Sequence, residues 1–106
     1  MLTLPINTEW LEMIDKGDKP VEYRKMTPYY DARLKRYLGQ NKVIKLRAGY
    51  NSTDRYSVYE LNIKTGYGEE KWGAKKGEIY YCLWVVKCLK KKAKQLKVAK
   101  TGTTYA

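Results

Sequence analysis

The stretch WLEMIDKGDKPVEYRK, residues 10–25, decides how the rest of the chain is arranged. Its apolar residues recur at helical spacing and predict a short amphipathic helix, and Gly17 is typical of a helix stop. Lys19 precedes a proline and is biased towards extended backbone, so we expect a strand to begin there. The stretch therefore brings three charged side chains to one helix-to-strand junction, namely Lys19, Glu22 and Arg24.

The three charged side chains do not all share a face of a regular strand. Side chains alternate along a strand, so Glu22 and Arg24 lie on one side and Lys19 on the other. Lys19 joins them only if the chain turns at Pro20. Two interpretations follow: the trio forms a ligand-binding cleft, or it forms a local network of ion pairs that closes one end of the fold.

The first half of the chain predicts a strand and a second helix around this stretch. Residues 2–6 alternate between apolar residues and threonine or proline, which indicates a short first strand. Thr27 is a suitable N-cap, and Pro28 suits the first helical position. This second helix should run to about Tyr37 and stop at Gly39.

The second half of the chain predicts strands. Residues 43–50 and 55–64 alternate with a period of two, which favours a hairpin. Residues 65–77 form a loop rich in glycine and charge. The nearly continuous apolar run 79–86 predicts a central strand buried on both faces, with Trp84 in the core. Leu89 and later apolar residues recur at helical spacing among lysines, which permits a basic amphipathic helix.

Composition and charge limit the class of protein. The chain has 106 residues, 43% of them hydrophobic, which suits one domain with a single core. The net charge is +11, from 22 basic and 11 acidic residues, and such an excess favours a polyanion such as nucleic acid. A basic tail without acids follows the last strand; a solvated segment is the alternative interpretation. Its candidate binding residues are Lys90, Lys91, Lys92, Lys94 and Lys97.

Several kinds of site and location are disfavoured. The chain contains no histidine, which removes the commonest general base and the Ser-His and Cys-His systems. Cys82 and Cys88 lie six residues apart in one predicted strand, about 20 Å, which is too far for a disulfide. We expect no metal, no cofactor, no membrane span and no signal peptide. A cytoplasmic monomer is the default expectation.

The opening segment and the last predicted strand resemble the ASCH domain, a branch of the PUA-like β-barrels. The resemblance covers most of residues 1–88, which would form the domain, with 89–106 as a basic extension. Its most specific part is the spacing G-x-K-x-x-E-x-R. The matching residues are 4–6 (LPI), Trp10, Ile14, 17–24 (GDKPVEYR), 72–78 (WGAKKGE) and the strand into Val86.

The resemblance implies an α+β fold, a small β-barrel of five to six strands with two helices at its ends. It also implies a cleft that binds RNA or a nucleotide, with Lys19, Glu22 and Arg24 as its charged residues. Lysine and arginine engage phosphate or base acceptors, and Glu22 can accept from an exocyclic amine or hold Arg24 in place.

Catalysis is the first alternative function. Some ASCH-like relatives are amidohydrolases that act on acetylated cytidine through a lysine, a threonine nucleophile and a glutamate. Glu22 occupies the position that matches that threonine, so the acyl-transfer route lacks its nucleophile here. A ribonuclease-like activity is also attributed to the family, and Lys19 would be the reactive group of such a hydrolase. The second alternative is a phage-type partner-binding protein that presents a basic face.

Aromatic residues are distributed in a way that supports nucleic-acid binding. The chain has eleven tyrosines and no phenylalanine. Single-stranded nucleic-acid binders stack bases on rings near basic side chains, and each stacked base contributes about 1–3 kcal/mol. Core packing is the alternative for Trp72. The candidates in or beside basic loops are Arg47, Tyr50, Tyr56, Tyr67 and Trp72.

Overall fold

The protein has an α+β fold, as the sequence predicts. The computed structural model describes residues 1–49, 51 and 54–93. Short 3₁₀ helices lie at Lys35–Tyr37 and Glu70–Trp72. The described elements are β1 (Leu2–Pro5), α1 (Thr8–Lys16), β2 (Val21–Lys25), α2 (Pro28–Leu34), β3 (Asn41–Arg47), β4 (Tyr56–Tyr67) and β5 (Ile79–Lys92).

The five described strands form one mixed sheet in the order β1-β3-β4-β5-β2. The β1–β3 pair is parallel and the other pairs are antiparallel. The pairing of β4 with β5 shifts register between Val58 and Tyr59 and again between Glu60 and Leu61. Such irregularities bend strands and increase their twist, so they help the long β4–β5 ribbon to curl.

The sheet is open, which corrects the expectation of a closed barrel. Its edge strands are β1 and β2, and no backbone ladder joins these two edges within the described chain. The sheet nevertheless curls far enough for a side chain to connect them. The Arg24 Nη2 atom in β2 donates to the Pro5 carbonyl oxygen in β1 at 2.8 Å.

Local sequence determines both helices. Asn7 accepts from the Glu9 N–H at 2.8 Å and caps α1, and Gly17 ends that helix with a φ of +86°. Thr27 caps α2, and Pro28 takes its first position. The predicted second helix is therefore confirmed in position, although its last turn is the 3₁₀ helix.

Two apolar clusters lie on opposite faces of the curled sheet. The larger one fills the concave side, under α1 and α2. The smaller one lies on the outer side of β2 and β5 and includes Val21, Tyr80 and Cys82, with Ala74 of the β4–β5 loop. The expectation that residues 79–86 are buried on both faces is correct only for 80–83, because Ile79, Trp84 and Val86 are 46%, 42% and 50% exposed.

The strand β5 extends further than the sequence predicts. It continues to Lys92 and pairs with Tyr56 of β4, so Leu89 is in a strand and not in a helix. The expected boundary between the domain (residues 1–88) and the basic extension (residues 89–106) therefore falls inside β5. The two other tail candidates, Lys94 and Lys97, lie outside the described residues. Among the described helices, none has the length and apolarity that crossing a membrane requires.

Candidate functional site

The charged heads of the sequence-predicted trio meet around one carboxylate. Lys19 Nζ donates to Glu22 Oε1 at 2.5 Å. Arg24 donates to Glu22 Oε2 from Nε at 3.0 Å and from Nη2 at 2.8 Å. The chain turns at Pro20, as expected, so Lys19 reaches the side of the strand that carries the other two. The result is a network of one anion between two cations.

This network is largely withdrawn from water. Lys19 is 1% exposed, Glu22 6% and Arg24 7%. Lys19 Nζ also donates to the Val21 carbonyl oxygen at 2.8 Å and lies 5.2 Å from the centre of the Trp10 ring. Burial lowers the pKa of Lys19, and the adjacent Glu22 carboxylate opposes that shift. Lys19 is therefore buried next to the Trp10 ring, and it supports the site through its hydrogen bond to Glu22.

Arg24 connects three elements through one guanidinium. Besides Glu22, it donates from Nη1 to the Tyr30 hydroxyl of α2 at 2.9 Å. Its Nη2 reaches Pro5 of β1, as described above. The interpretation of the trio as an ion-pair network closing one end of the fold is thus supported for Arg24. That role leaves the ligand-binding interpretation open, because Glu22 and Arg24 also line a cavity.

A cleft of about 370 Å³ opens where the two sheet edges approach each other. Its polar wall is made by Glu22 and Arg24, while Lys19 does not line it. Two exposed lysines, Lys25 and Lys75, also border it. The rest of the lining is mostly aromatic, and its rings belong to Trp10, Tyr23, Tyr30, Trp72 and Tyr80.

Trp72 is placed in this cleft by the tight loop between β4 and β5. It ends a 3₁₀ helix, and Gly73 follows with a φ of +97°. A side chain at Gly73 would begin 3.1 Å from the Trp10 ring, so glycine allows this loop to approach α1 closely. Trp72 is half-buried and packs against the smaller apolar cluster, and it also lines the cleft; its role in stacking a base stays a prediction.

Two tyrosines of the sheet hold the same loop against the cleft. The Tyr23 hydroxyl accepts from the Glu69 N–H at 3.0 Å. The Tyr80 hydroxyl accepts from the Lys75 N–H at 2.8 Å. Burial raises the pKa of Tyr23, and the Glu69 N–H opposes that shift. The loop is therefore anchored at both ends, and the cleft wall is preorganised.

The remaining predicted residues lie elsewhere. Arg47 ends β3, opposite Tyr56, and does not line the cleft. Lys90 and Lys92 of β5 are also outside the cleft lining, while Lys91 donates to the Asp15 carbonyl oxygen of α1 at 2.9 Å. Tyr50 lies outside the described residues.

Sequence reasoning missed several cleft residues. Trp10 and Tyr30 recur at helical spacing with other apolar residues, which is typical of core packing and does not indicate a binding role. Each is the third residue of its helix, in a first turn that adjoins a strand end. Clefts in small folds form next to such positions. The place of Trp10 and Tyr30 in the first turn of a helix was therefore the signal that could have predicted their position in the cleft. Lys25, Lys75 and Tyr80 carried no comparable indication.

Comparison with known proteins gives this chain no relative: no family model, curated protein or solved structure matches it.

Proposed function

We propose that the protein binds RNA and that its cleft receives one nucleotide. The observation that carries the proposal is a cavity of about 370 Å³ that combines five aromatic rings with a carboxylate–guanidinium pair. Small-molecule sites of about 300–1,000 Å³ typically have apolar walls with a few fixed polar groups. RNA-binding proteins stack unpaired bases on aromatic rings and read base edges through hydrogen bonds.

The polar wall suits a base edge. Glu22 lines the cleft, and its Oε1 atom, which accepts from Lys19, has a second lone pair that can accept from an exocyclic amine. The contacts described for Arg24 use one Nη1 hydrogen, so the second is free to donate to a base acceptor. Lys25 and Lys75 border the cleft and supply positive charge for a phosphate. The ion pairs of Glu22 with Lys19 and Arg24 fix the Glu22 carboxylate and the Arg24 guanidinium in place before a ligand binds.

The resemblance to ASCH domains supports the same function. On this proposal, the fold is an open form of the PUA-like barrel in which the Arg24 side chain, and not a backbone ladder, joins the edge strands. The net charge of +11 is consistent with a polyanionic ligand.

The alternative functions receive less support. A hydrolase that uses Lys19 would need its ammonium group to reach a substrate, but that side chain is covered by protein. An acidic protein partner would be attracted by the same net charge, but it would not require a cleft walled by rings. We therefore keep RNA as the ligand class.

The test compares the same substitution at two tryptophans, one in the cleft and one outside it. Trp72 lines the cleft, and Trp84 lies partly exposed outside it. Trp72→Leu should weaken binding of a short single-stranded RNA by about 5- to 150-fold, because one stacked base contributes about 1–3 kcal/mol. Trp84→Leu should leave the affinity within about twofold. Fluorescence anisotropy at low salt measures both, and circular dichroism establishes that each variant is folded.

Equal losses in the two folded variants would place the RNA elsewhere. The absence of RNA binding by the unaltered protein at low salt would reject the proposed function altogether.

A further inference from the structure

A second cluster of positive charge lies on the outer face of the sheet, where it is organised in two rows. Register partners run across β1, β3, β4 and β5 in each row. One row is Pro5, Arg47, Tyr56 and Lys92. The next is Thr3, Lys45, Val58 and Lys90. We call Lys45, Arg47, Tyr56, Lys90 and Lys92 the basic face.

The alternation of side chains explains why these residues share a face. Leu46 lies between two members of the basic face, and it is buried in the concave core. On β5, Lys91 similarly points the other way and reaches the Asp15 carbonyl oxygen of α1. The lysine run KCLKKK, residues 87–92, lies in β5 and not in a tail. The alternation of side chains along the strand therefore directs its lysines to different faces. Lys90 and Lys92 join the basic face, and Lys91 docks a helix.

Tyr56 is the centre of the basic face. The Nζ atoms of Lys45, Lys90 and Lys92 lie 4.1, 5.8 and 5.9 Å from the centre of its ring. Tyr56 itself is 8% exposed and lies beneath the lysine side chains. The aliphatic parts of those side chains can therefore pack on its ring. Attraction between each cation and the ring offsets part of the repulsion among the three ammonium groups.

Among the described residues, the acids nearest to the basic face lie at its margin, where Glu12 and Asp15 of α1 line a groove that Lys92 also borders. Neither row contains an acid. Glu60 lies in the next row, between Val43 and Lys87, and it accepts from the Asn41 side chain at 2.8 Å. A hydrogen bond with Lys90 lowers the pKa of Tyr56, and the nearby ammonium groups of Lys92 and Lys45 act in the same direction. The local field therefore favours an anion.

The basic face is continuous with the cleft. Pro5 lines the cleft and also begins the first row. Three strand spacings of about 4.8 Å separate Pro5 from Lys92, or about 14 Å in total. A shallow groove at the end of β1 shares Pro5, Ile6 and Asn7 with the cleft and continues to Ala48 and Gly49, just beyond Arg47.

We infer that the basic face binds the phosphodiester backbone of the same RNA strand whose nucleotide enters the cleft. This inference rests on the proposed function and extends it from one nucleotide to a path across four strands. Arg47 and the lysines contact phosphates and carry no base preference. The cleft selects the nucleotide, and the basic face provides most of the salt-dependent affinity.

The experiment removes two cations from the basic face and compares them with two cations elsewhere. Lys90→Gln with Lys92→Gln is the test pair, and Lys35→Gln with Lys64→Gln is the control, because these lysines are exposed outside both the basic face and the cleft. Binding of a single-stranded RNA of about 12 nucleotides is measured from low to moderate salt. Each lost phosphate contact should reduce the slope of log affinity against log salt by about 0.7.

The test pair should therefore lower that slope by about 1.4, while the control pair leaves it within about 0.3. A dinucleotide, which is long enough for the cleft alone, should bind both double variants equally. Equal slopes for the test and control pairs would overturn the inference while leaving the cleft intact. Polyglutamate of matched length that competes as well as RNA would overturn the assignment to phosphate. Failure of the unaltered protein to bind the RNA would overturn both the inference and the proposed function.

Discussion

Glu22 sets the charge balance of the polar wall of the cleft. Its two oxygens accept from Lys19 on one side and from Arg24 on the other, and all three side chains are nearly buried. Removing a buried charge from water is expensive, and a buried network is tolerated only when each member is paired. One residue therefore keeps two buried cations compatible with the folded state.

Replacing Glu22 with glutamine should lower the free energy of unfolding by about 3–5 kcal/mol, because two buried cations lose their shared anion. Urea unfolding at neutral pH measures this change. Glu70→Gln, at an exposed position in the β4–β5 loop, is the control and should change stability by less than about 0.5 kcal/mol. A loss below about 1 kcal/mol for Glu22→Gln would show that the network is not energetically coupled.

At the scale of elements, the carboxylate of Asp15 makes most of the polar side-chain contacts between α1 and the chain of β4. Asp15 Oδ1 accepts from the Tyr59 hydroxyl at 2.6 Å and from Ser57 Oγ at 2.8 Å. Its Oδ2 accepts from Arg55 Nη2 at 2.6 Å. An acid in the last turn of a helix is unfavourable for the helix dipole, so its presence there requires such a tertiary reason. The sequence contained that indication, but not the identity of the partners.

Asp15→Ala should lower the free energy of unfolding by about 2–4 kcal/mol, because it leaves the buried hydroxyl groups of Ser57 and Tyr59 without their acceptor. Glu12→Ala on the same helix is the matched control. Its carboxylate is half-exposed and lies 3.4 Å from Arg55, so its loss should cost less than about 1 kcal/mol. Similar losses in the two variants would mean that the buried contacts of Asp15 contribute no more to stability than the exposed ion pair of Glu12.

At the scale of the whole molecule, side chains supply connections between elements that the backbone ladders of the open sheet do not make. Arg24 joins β2 to β1, and Tyr81 joins β5 to α2 by donating to Asp31 Oδ1 at 2.5 Å. Burial raises the pKa of Tyr81 to about 12, and the hydrogen bond to Asp31 acts in the same direction. Its unfolded value is about 10.

The unfolded chain therefore loses this proton at a lower pH than the folded protein does. The stability contributed by Tyr81 is complete below pH 10 and is lost as the pH rises towards 12, at up to about 1.4 kcal/mol per pH unit. Tyr81→Phe should make the unfolding free energy less dependent on pH between 10 and 12. Urea unfolding of both proteins across this range measures the difference. The lowered pKa of Lys19 and the raised pKa values of Tyr23 and Tyr59 are common to both proteins, so their contributions cancel. Parallel curves would contradict the expectation.

The sequence by itself determined the elements whose causes are local. The caps at Thr27 and Gly17, the turn forced by Pro20 and the alternation along β3 and β4 depend on neighbouring residues, so those predictions are confirmed. The meeting of Lys19 with Glu22 and Arg24 follows from that same turn.

The tertiary structure alone decided which side chains water reaches and which distant residues meet. Lys19 is buried and Trp84 is exposed because burial depends on which segments of the chain pack over each residue. The spacing of residues along the chain does not specify those segments. The cleft gathers Trp10, Trp72 and Arg24 from separate elements through long-range packing. The extension of β5 to Lys92 likewise depends on a ladder with β4, which overrides the helical spacing of the lysine-rich run.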